Sequence, residues 1–141
     1  MRLLLDTNIL TAIVNRSHPQ RALIVDKVQE DVHEMCISPQ VIYEFWAVAT
    51  RPEKVNGLNL STADVAAEVE RFQLLFEWLP DPPDLFSRWL NLVSIHAVSG
   101  RPSHDARLAA LMQAHGLDAL LTLNAPDFKR YGLTVLTPAD L

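Results

Sequence analysis

Glycine and cysteine are scarce in this chain of 141 residues, which has four of the first and one of the second. Four glycines scattered singly cannot build the Gly-rich loop whose bare amides cradle nucleotide phosphates. One cysteine, Cys36, can form no internal disulfide and cannot supply a Cys/His zinc site; within Met35-Cys36-Ile37 it reads as a buried, inert thiol. No Gly-x-Ser-x-Gly sequence is present, which removes the hydrolases that raise a serine nucleophile on a strand-to-helix turn. No segment approaches the ~18 apolar residues that would span a bilayer. Asp6 also interrupts the first apolar run before a secretory core could form, so a cytoplasmic location with no membrane partner is expected. Repeats, low-complexity tracts and linkers are absent as well, and a single domain over residues 1–141 is expected.

Positive charge is the other shortage. Twelve Lys and Arg face seventeen Asp and Glu, for a formal net charge of −5. Such a chain does not coat nucleic acid by bulk electrostatics. It remains compatible with a phosphodiester substrate, because carboxylates gathered around divalent cations make a local negative site that the metals neutralise only when bound.

What the chain does have is 49% hydrophobic and 21% charged residues, the balance of a soluble globular protein. Leu3 to Leu5 is a continuous apolar run that fits a parallel strand buried on both faces, and it ends abruptly in Asp6-Thr7-Asn8. A short helix is expected from Asn8 to Asn15, and a second after Pro19 on Ala22, Ile24, Val25 and Val28. Met35 to Ile37 reads as another strand. Ser38-Pro39 then predicts a helix to about Thr50, with Ser38 as cap and Pro39 in the first turn. That helix is apolar nearly all round and is expected to be buried, with Glu44 as its only charge. Arg51 to Leu60 reads as a loop. Ser61 predicts a capped helix whose inner face holds Val65, Val69, Phe72 and Phe76, and Phe76 to Leu79 reads either as a short strand or as the end of that helix. The pattern Leu85, Trp89, Leu92, Val93, His96 predicts a helix ending at Gly100, with His96 at the core or its rim. Ser103 is expected to cap a helix reaching His115, closed by Gly116. Ala119 to Leu123 predicts a buried strand, and Thr134 to Leu136 an edge strand.

Strands alternating with helices predict an α/β fold with a mostly parallel sheet, in which strand ends and helix starts share one edge. Asp6 follows the first strand, Glu44 lies in the helix after the second, Asp105 opens a late helix, and Asn124 and Asp127 follow another strand. Each has a bland alternative: Asp6 as a helix cap, Glu44 as a buried partner of Arg51, Asp105 as an acid favoured by the helix dipole. Together they could converge on one crevice, where hard oxygen ligands select Mg²⁺ or Mn²⁺. Arg101, Lys129 and Arg130 lie near the loops that carry Asp105 and Asp127, and are candidates to hold phosphates.

At Leu3-Leu4-Leu5-Asp6-Thr7-Asn8, Ser38-Pro39 through Glu44-Phe45, His104-Asp105-Ala106 with Ala109-Ala110, and Leu121 to Asn124 with Asp127-Phe128, the sequence resembles the PIN-domain family, most closely its VapC-type toxin ribonucleases. The resemblance implies a three-layer α/β/α sandwich and an Mg²⁺-dependent endoribonuclease that leaves 5′-phosphate and 3′-hydroxyl ends. It further implies Mg²⁺ held by Asp6 and Asp105 with help from Glu44, a homodimer, and neutralisation by a small antitoxin. Where many relatives carry an acid this chain has Asn124, so either Asn124 or Asp127 completes the set. A PIN-type ribonuclease for RNA processing and a non-catalytic PIN-like binding module are the alternatives.

Overall fold

A computed structural model describes all residues, 1–141. Five short strands, β1 (Arg2–Leu5), β2 (Glu34–Ile37), β3 (Glu77–Trp78), β4 (Ala119–Leu121) and β5 (Val135–Leu136), form one sheet in the order β3-β2-β1-β4-β5. Every pairing is parallel. The three leucines of β1 have no exposure at all, the burial on both faces that their unbroken apolar run implied.

Six α-helices cover the sheet: α1 (Thr7–Val14), α2 (Arg21–Gln29), α3 (Pro39–Thr50), α4 (Thr62–Leu75), α5 (Leu85–Ile95) and α6 (Pro102–His115). The chain steps outward from β1 to β2 to β3, then crosses back over both to β4. Right-handed crossovers therefore place α1 to α4 on one face and α5 with α6 on the other. Packing follows this division, with α1 against α2 and α3, α3 against α4, and α5 against α6. The result is the three-layer α/β/α sandwich, and 30 buried residues join into one core cluster. On the α4 side, Phe45 meets Phe72 edge-on at 5.2 Å and Phe72 stacks on Phe76 at 5.8 Å. The strand order reverses between β1 and β4, and open parallel sheets have their crevice at such a switch point, outside the carboxyl ends of the strands.

Several local expectations hold. Ser61 caps α4, its hydroxyl accepting from the Asp64 amide, and Gly116 ends α6 in the left-handed conformation. Burial pushes the Cys36 thiol up to about 12, so it stays protonated. Glu77 receives its S–H, and Arg2 holds Glu77 in turn.

Others are corrected. The helix containing Asp105 starts at Pro102, not at a Ser103 cap; Arg101 precedes it in helical conformation and no side chain caps it. Pro102 presets the first turn, and the Ser103 carbonyl is used instead to accept from Trp89 Nε1. α5 stops at Ile95, well short of Gly100, because Ala97 takes a left-handed φ of 48°. α3 is not buried all round: Val41, Ile42, Phe45 and Ala49 face the core, while Tyr43 and Trp46 are 69% and 38% exposed. Ser38 does occupy the N-cap of α3, but its hydroxyl makes no capping bond and is buried without a partner. β4 ends at Leu121, two residues before its expected end.

Candidate functional site

Asp6 is the first residue beyond β1, at the N-cap of α1, and only 8% of it is exposed. Its Oδ1 accepts from the Thr7 amide at 2.7 Å, the capping role that its position allowed. Its Oδ2 accepts from the Thr122 hydroxyl at 2.6 Å and from Asn8 Nδ2 at 3.2 Å. Thr122 follows β4, the strand beside β1, and is wholly buried; its oxygen also accepts from Asn8 Nδ2 and from the Asn124 amide. Asn8 closes this floor by accepting from the Leu123 amide. The parallel register that sets Leu5 beside Leu121 is what brings Asp6 and Thr122 together across 116 residues of chain.

Glu44 projects from α3 with both oxygens engaged. Thr7 Oγ1 donates to Oε2 at 2.8 Å and Gln40 Nε2 to Oε1 at 3.0 Å. The alternative pairing with Arg51 does not form, since Arg51 donates to the Asn56 carbonyl. Asp105, in the first turn of α6, differs from both: no side-chain or backbone donor reaches its carboxylate.

The acids feel one another. Burial first, then the charges of Asp6, Asp127 and Glu44, raise the Asp105 carboxyl to about 6. Asp6 is also raised, chiefly by burial, although Thr122 and the Thr7 amide favour its anion; Glu44 and Asp127 add to the rise. Glu44, Asp105 and Asp127 thus come from three separate segments to line one opening, while Asp6, from a fourth, lies buried beside it, close enough to feel their charges but not itself part of the lining.

That opening is a cleft of about 1000 Å³ lined by Thr7, Gln40, Glu44, Asp105 and Asp127, with Tyr43, Ala47, Val48 and Arg51 of α3 along one wall. Arg101, Pro102, His104, Arg107 and Arg130 form the opposite side. Of the two residues expected to complete the acidic set, Asp127 reaches the cleft and Asn124 does not. Asn124 is exposed at the start of the 3₁₀ turn Ala125–Tyr131, its side chain makes no cap, and only its amide touches the site through Thr122. Of the three candidate phosphate contacts, Arg101 and Arg130 line the cleft, while Lys129 is exposed outside it. Thr7, Gln40, Thr122 and Arg107 were not singled out from the sequence. Thr7, Gln40 and Thr122 stand inside the motif stretches but were given no role in the site there, and Arg107 carries no local signal.

No three His, Cys, Asp or Glu side chains stand close enough to enclose one ion between them. The donor chemistry nevertheless fits a hard divalent cation: oxygen ligands only, two raised carboxyls in Asp6 and Asp105, and an Asp105 with no hydrogen-bond donor to answer its charge. No helix is long and apolar enough to cross a membrane.

Comparison with solved structures finds the same fold in bacterial toxin–antitoxin proteins. VapBC2 of Rickettsia felis, bound to a fragment of promoter DNA, matches with a TM-score of 0.73 and 19% identity over 97% of this chain and 98% of the other. DNA-bound VapBC of Salmonella typhimurium matches at 0.71 and 22% over 98% of each chain. VapC20 of Mycobacterium tuberculosis, described as a sarcin-ricin loop cleaving toxin, matches at 0.70 and 17% over 94% of this chain and 96% of that one. A comparison with curated protein sequences gives no match. The family model of the PIN domain matches residues 3–133, nearly the whole chain, and the protein belongs to the PIN domain family.

Proposed function

We propose that this protein is an Mg²⁺-dependent endoribonuclease, with Mn²⁺ able to substitute, and the toxin of a toxin–antitoxin pair. The observation that carries the reading is the gathering of Glu44, Asp105 and Asp127 in a cleft also lined by arginines, with Asp6 buried at its edge beyond β1 and within reach of their charges. Family membership supports the nuclease reading, and the VapBC neighbours support an antitoxin partner. Tyr43, Trp46, Leu74, Leu75, Phe86 and Ile95 are large apolar side chains left exposed, surface suited to a second copy in a homodimer and to the antitoxin.

In this reading Asp6 and Asp105 hold the cation, which when bound supplies Lewis acidity toward a phosphodiester oxygen and lowers the pKa of water. The Thr122 and Thr7 hydrogen bonds favour the Asp6 anion and oppose the rise that burial causes. Glu44, fixed by Thr7 and Gln40 but with lone pairs remaining, orients water and can take its proton; Asp127 adds the fourth negative charge from the opposite rim. Arg101 and Arg130 hold the phosphates on either side of the reacting one, so a net negative protein still retains RNA.

Labelled RNA incubated with the purified chain is expected to be cut in Mg²⁺ and left whole in EDTA. Expression in bacteria is expected to arrest growth, relieved by the small protein encoded beside it. Cutting without growth arrest would favour the RNA-processing role, and no cutting with any divalent ion would favour the binding module.

A further inference from the structure

We propose that Gln40 is a positioning residue of the acidic site, a neutral clamp that sets the Glu44 carboxylate on α3 against the α6 turn carrying Asp105. The inference rests on the reading of the cleft as a divalent-cation site. Gln40 lies one helical turn before Glu44 on the same face of α3, and 6% of it is exposed. A buried amide is tolerated only with its polar atoms satisfied, and here they are. Nε2 donates to Glu44 Oε1 at 3.0 Å and to the His104 carbonyl at 2.8 Å, while Oε1 accepts from Arg107 Nη1 at 2.9 Å. Turning the amide over would set its oxygen against two acceptors and its NH₂ against a guanidinium, so its orientation is determined by the partners.

Arg107 is held from behind, since its Nη2 donates to Asp81 Oδ2 at 2.7 Å. One continuous path therefore runs from Asp81 through Arg107 and Gln40 to Glu44 and on to Thr7 at the start of α1. A direct arginine pair would neutralise Glu44 and compete with a cation for it. The interposed amide accepts from the Arg107 guanidinium and donates to the carboxylate, so it polarises toward Glu44 without cancelling its charge. It also ties α3 to the residue before Asp105, against the mutual repulsion of acids that would drive the two helices' carboxylates apart.

The test is Mn²⁺ titration of the full-length protein by calorimetry, for wild type, Gln40→Met and Arg107→Met, with circular dichroism and thermal melting alongside. Gln40→Met keeps the shape and the formal charge, and is expected to weaken Mn²⁺ binding roughly tenfold, as outer supports of metal ligands do. Where RNA is cut, it should lower kcat with KM for RNA little changed. Arg107→Met is the sharper case. Removing a positive charge beside a cation site should by Coulomb's law tighten Mn²⁺ binding, whereas loss of the clamp's anchor loosens it. Loosening supports the proposal; tightening shows Arg107 acting as a plain charge and overturns it. An Mn²⁺ affinity for Gln40→Met within about twofold of wild type, with only the melting temperature lowered, reduces Gln40 to a structural tie between the helix starts and also overturns it. Should Gln40→Met fail to fold, Arg107→Met, at a side chain about a third exposed, carries the test alone. A wild-type chain that binds Mn²⁺ but cuts no RNA defeats the functional reading and leaves the clamp standing. One that binds no Mn²⁺ defeats both.

Discussion

Asp105→Asn should stabilise the metal-free protein at neutral pH while abolishing RNA cleavage. The Asp105 carboxyl stands at about 6 in the folded chain against an ordinary 3.8, raised by burial and by three neighbouring acids. A group whose pKa is higher folded than unfolded contributes stability below its unfolded value and loses it as pH rises through the folded one. The ionised form therefore weakens the fold above about pH 6, by at most about 3 kcal/mol at 1.36 kcal/mol per pH unit. Asp105 is only partly buried, and solvent screening reduces this to roughly 1 kcal/mol. Asparagine is nearly the same shape, carries no charge and forfeits no hydrogen bond, because Asp105 makes none. The variant should therefore gain roughly 1 kcal/mol over wild type at pH 7.5, about 3–5 °C in Tm for a chain of this size. At pH 4, where Asp105 is protonated in the folded wild type, the difference should largely vanish. Urea denaturation in EDTA at the two pH values measures it. Added Mg²⁺ should reverse the ranking, since wild type alone keeps both carboxylates of the pair. Equal stabilities at pH 7.5 and pH 4, or a less stable variant at pH 7.5, would refute the electrostatic reasoning.

Three further outcomes are expected. Thr122→Val removes the buried hydroxyl that supports the Asp6 anion and should destabilise by about 2–3 kcal/mol; the loss should be larger at pH 8 than at pH 4, because that bond lowers the Asp6 pKa, and denaturation at both values checks it. Asp127→Asn should raise the Mg²⁺ concentration for half-maximal cleavage, whereas Asn124→Asp should change it little, because Asp127 lines the cleft and Asn124 does not. Neutralising Arg101 and Arg130 should flatten the salt dependence of RNA binding by roughly 0.7 in logarithmic slope per arginine, measured on an inactive Asp6→Asn background, with Lys129→Gln having the smaller effect.

The short apolar runs at Leu3–Leu5 and Met35–Ile37 announced β1 and β2 because a run buried on both faces needs no periodicity to be read. Ser38-Pro39 marked the start of α3, and its end at Thr50 was equally legible before Arg51-Pro52. From those elements the placing of Asp6 and Glu44 at one edge follows. The start of α6 was misread because a serine three residues after a glycine suggests a cap, while the proline between them already had the φ of a first helical turn. The choice between Asn124 and Asp127 depends on how a 3₁₀ turn aims two side chains three residues apart, and neither residue's identity carries that direction. The outer face of α3 was misjudged since apolarity all round a helix signals burial only when there is enough chain to cover it, and one face of Tyr43 and Trp46 is left open. Gln40 and Arg107 were illegible for another reason. They are 67 residues apart, and only the meeting of the first turns of α3 and α6, from opposite faces of the sheet, makes them partners.

The proposed activity depends on Asp6 and Asp105 together holding a divalent cation at the site of RNA cleavage. The direct measurement is single-turnover cleavage of a labelled RNA in saturating Mg²⁺ by wild type and by Asp6→Asn, both shown to be folded and to bind the RNA. Wild type should cleave and leave 5′-phosphate ends, with cleavage lost in EDTA and in the variant while RNA affinity is retained. Cleavage by Asp6→Asn at the wild-type rate, or wild-type cleavage that persists in EDTA, would contradict it.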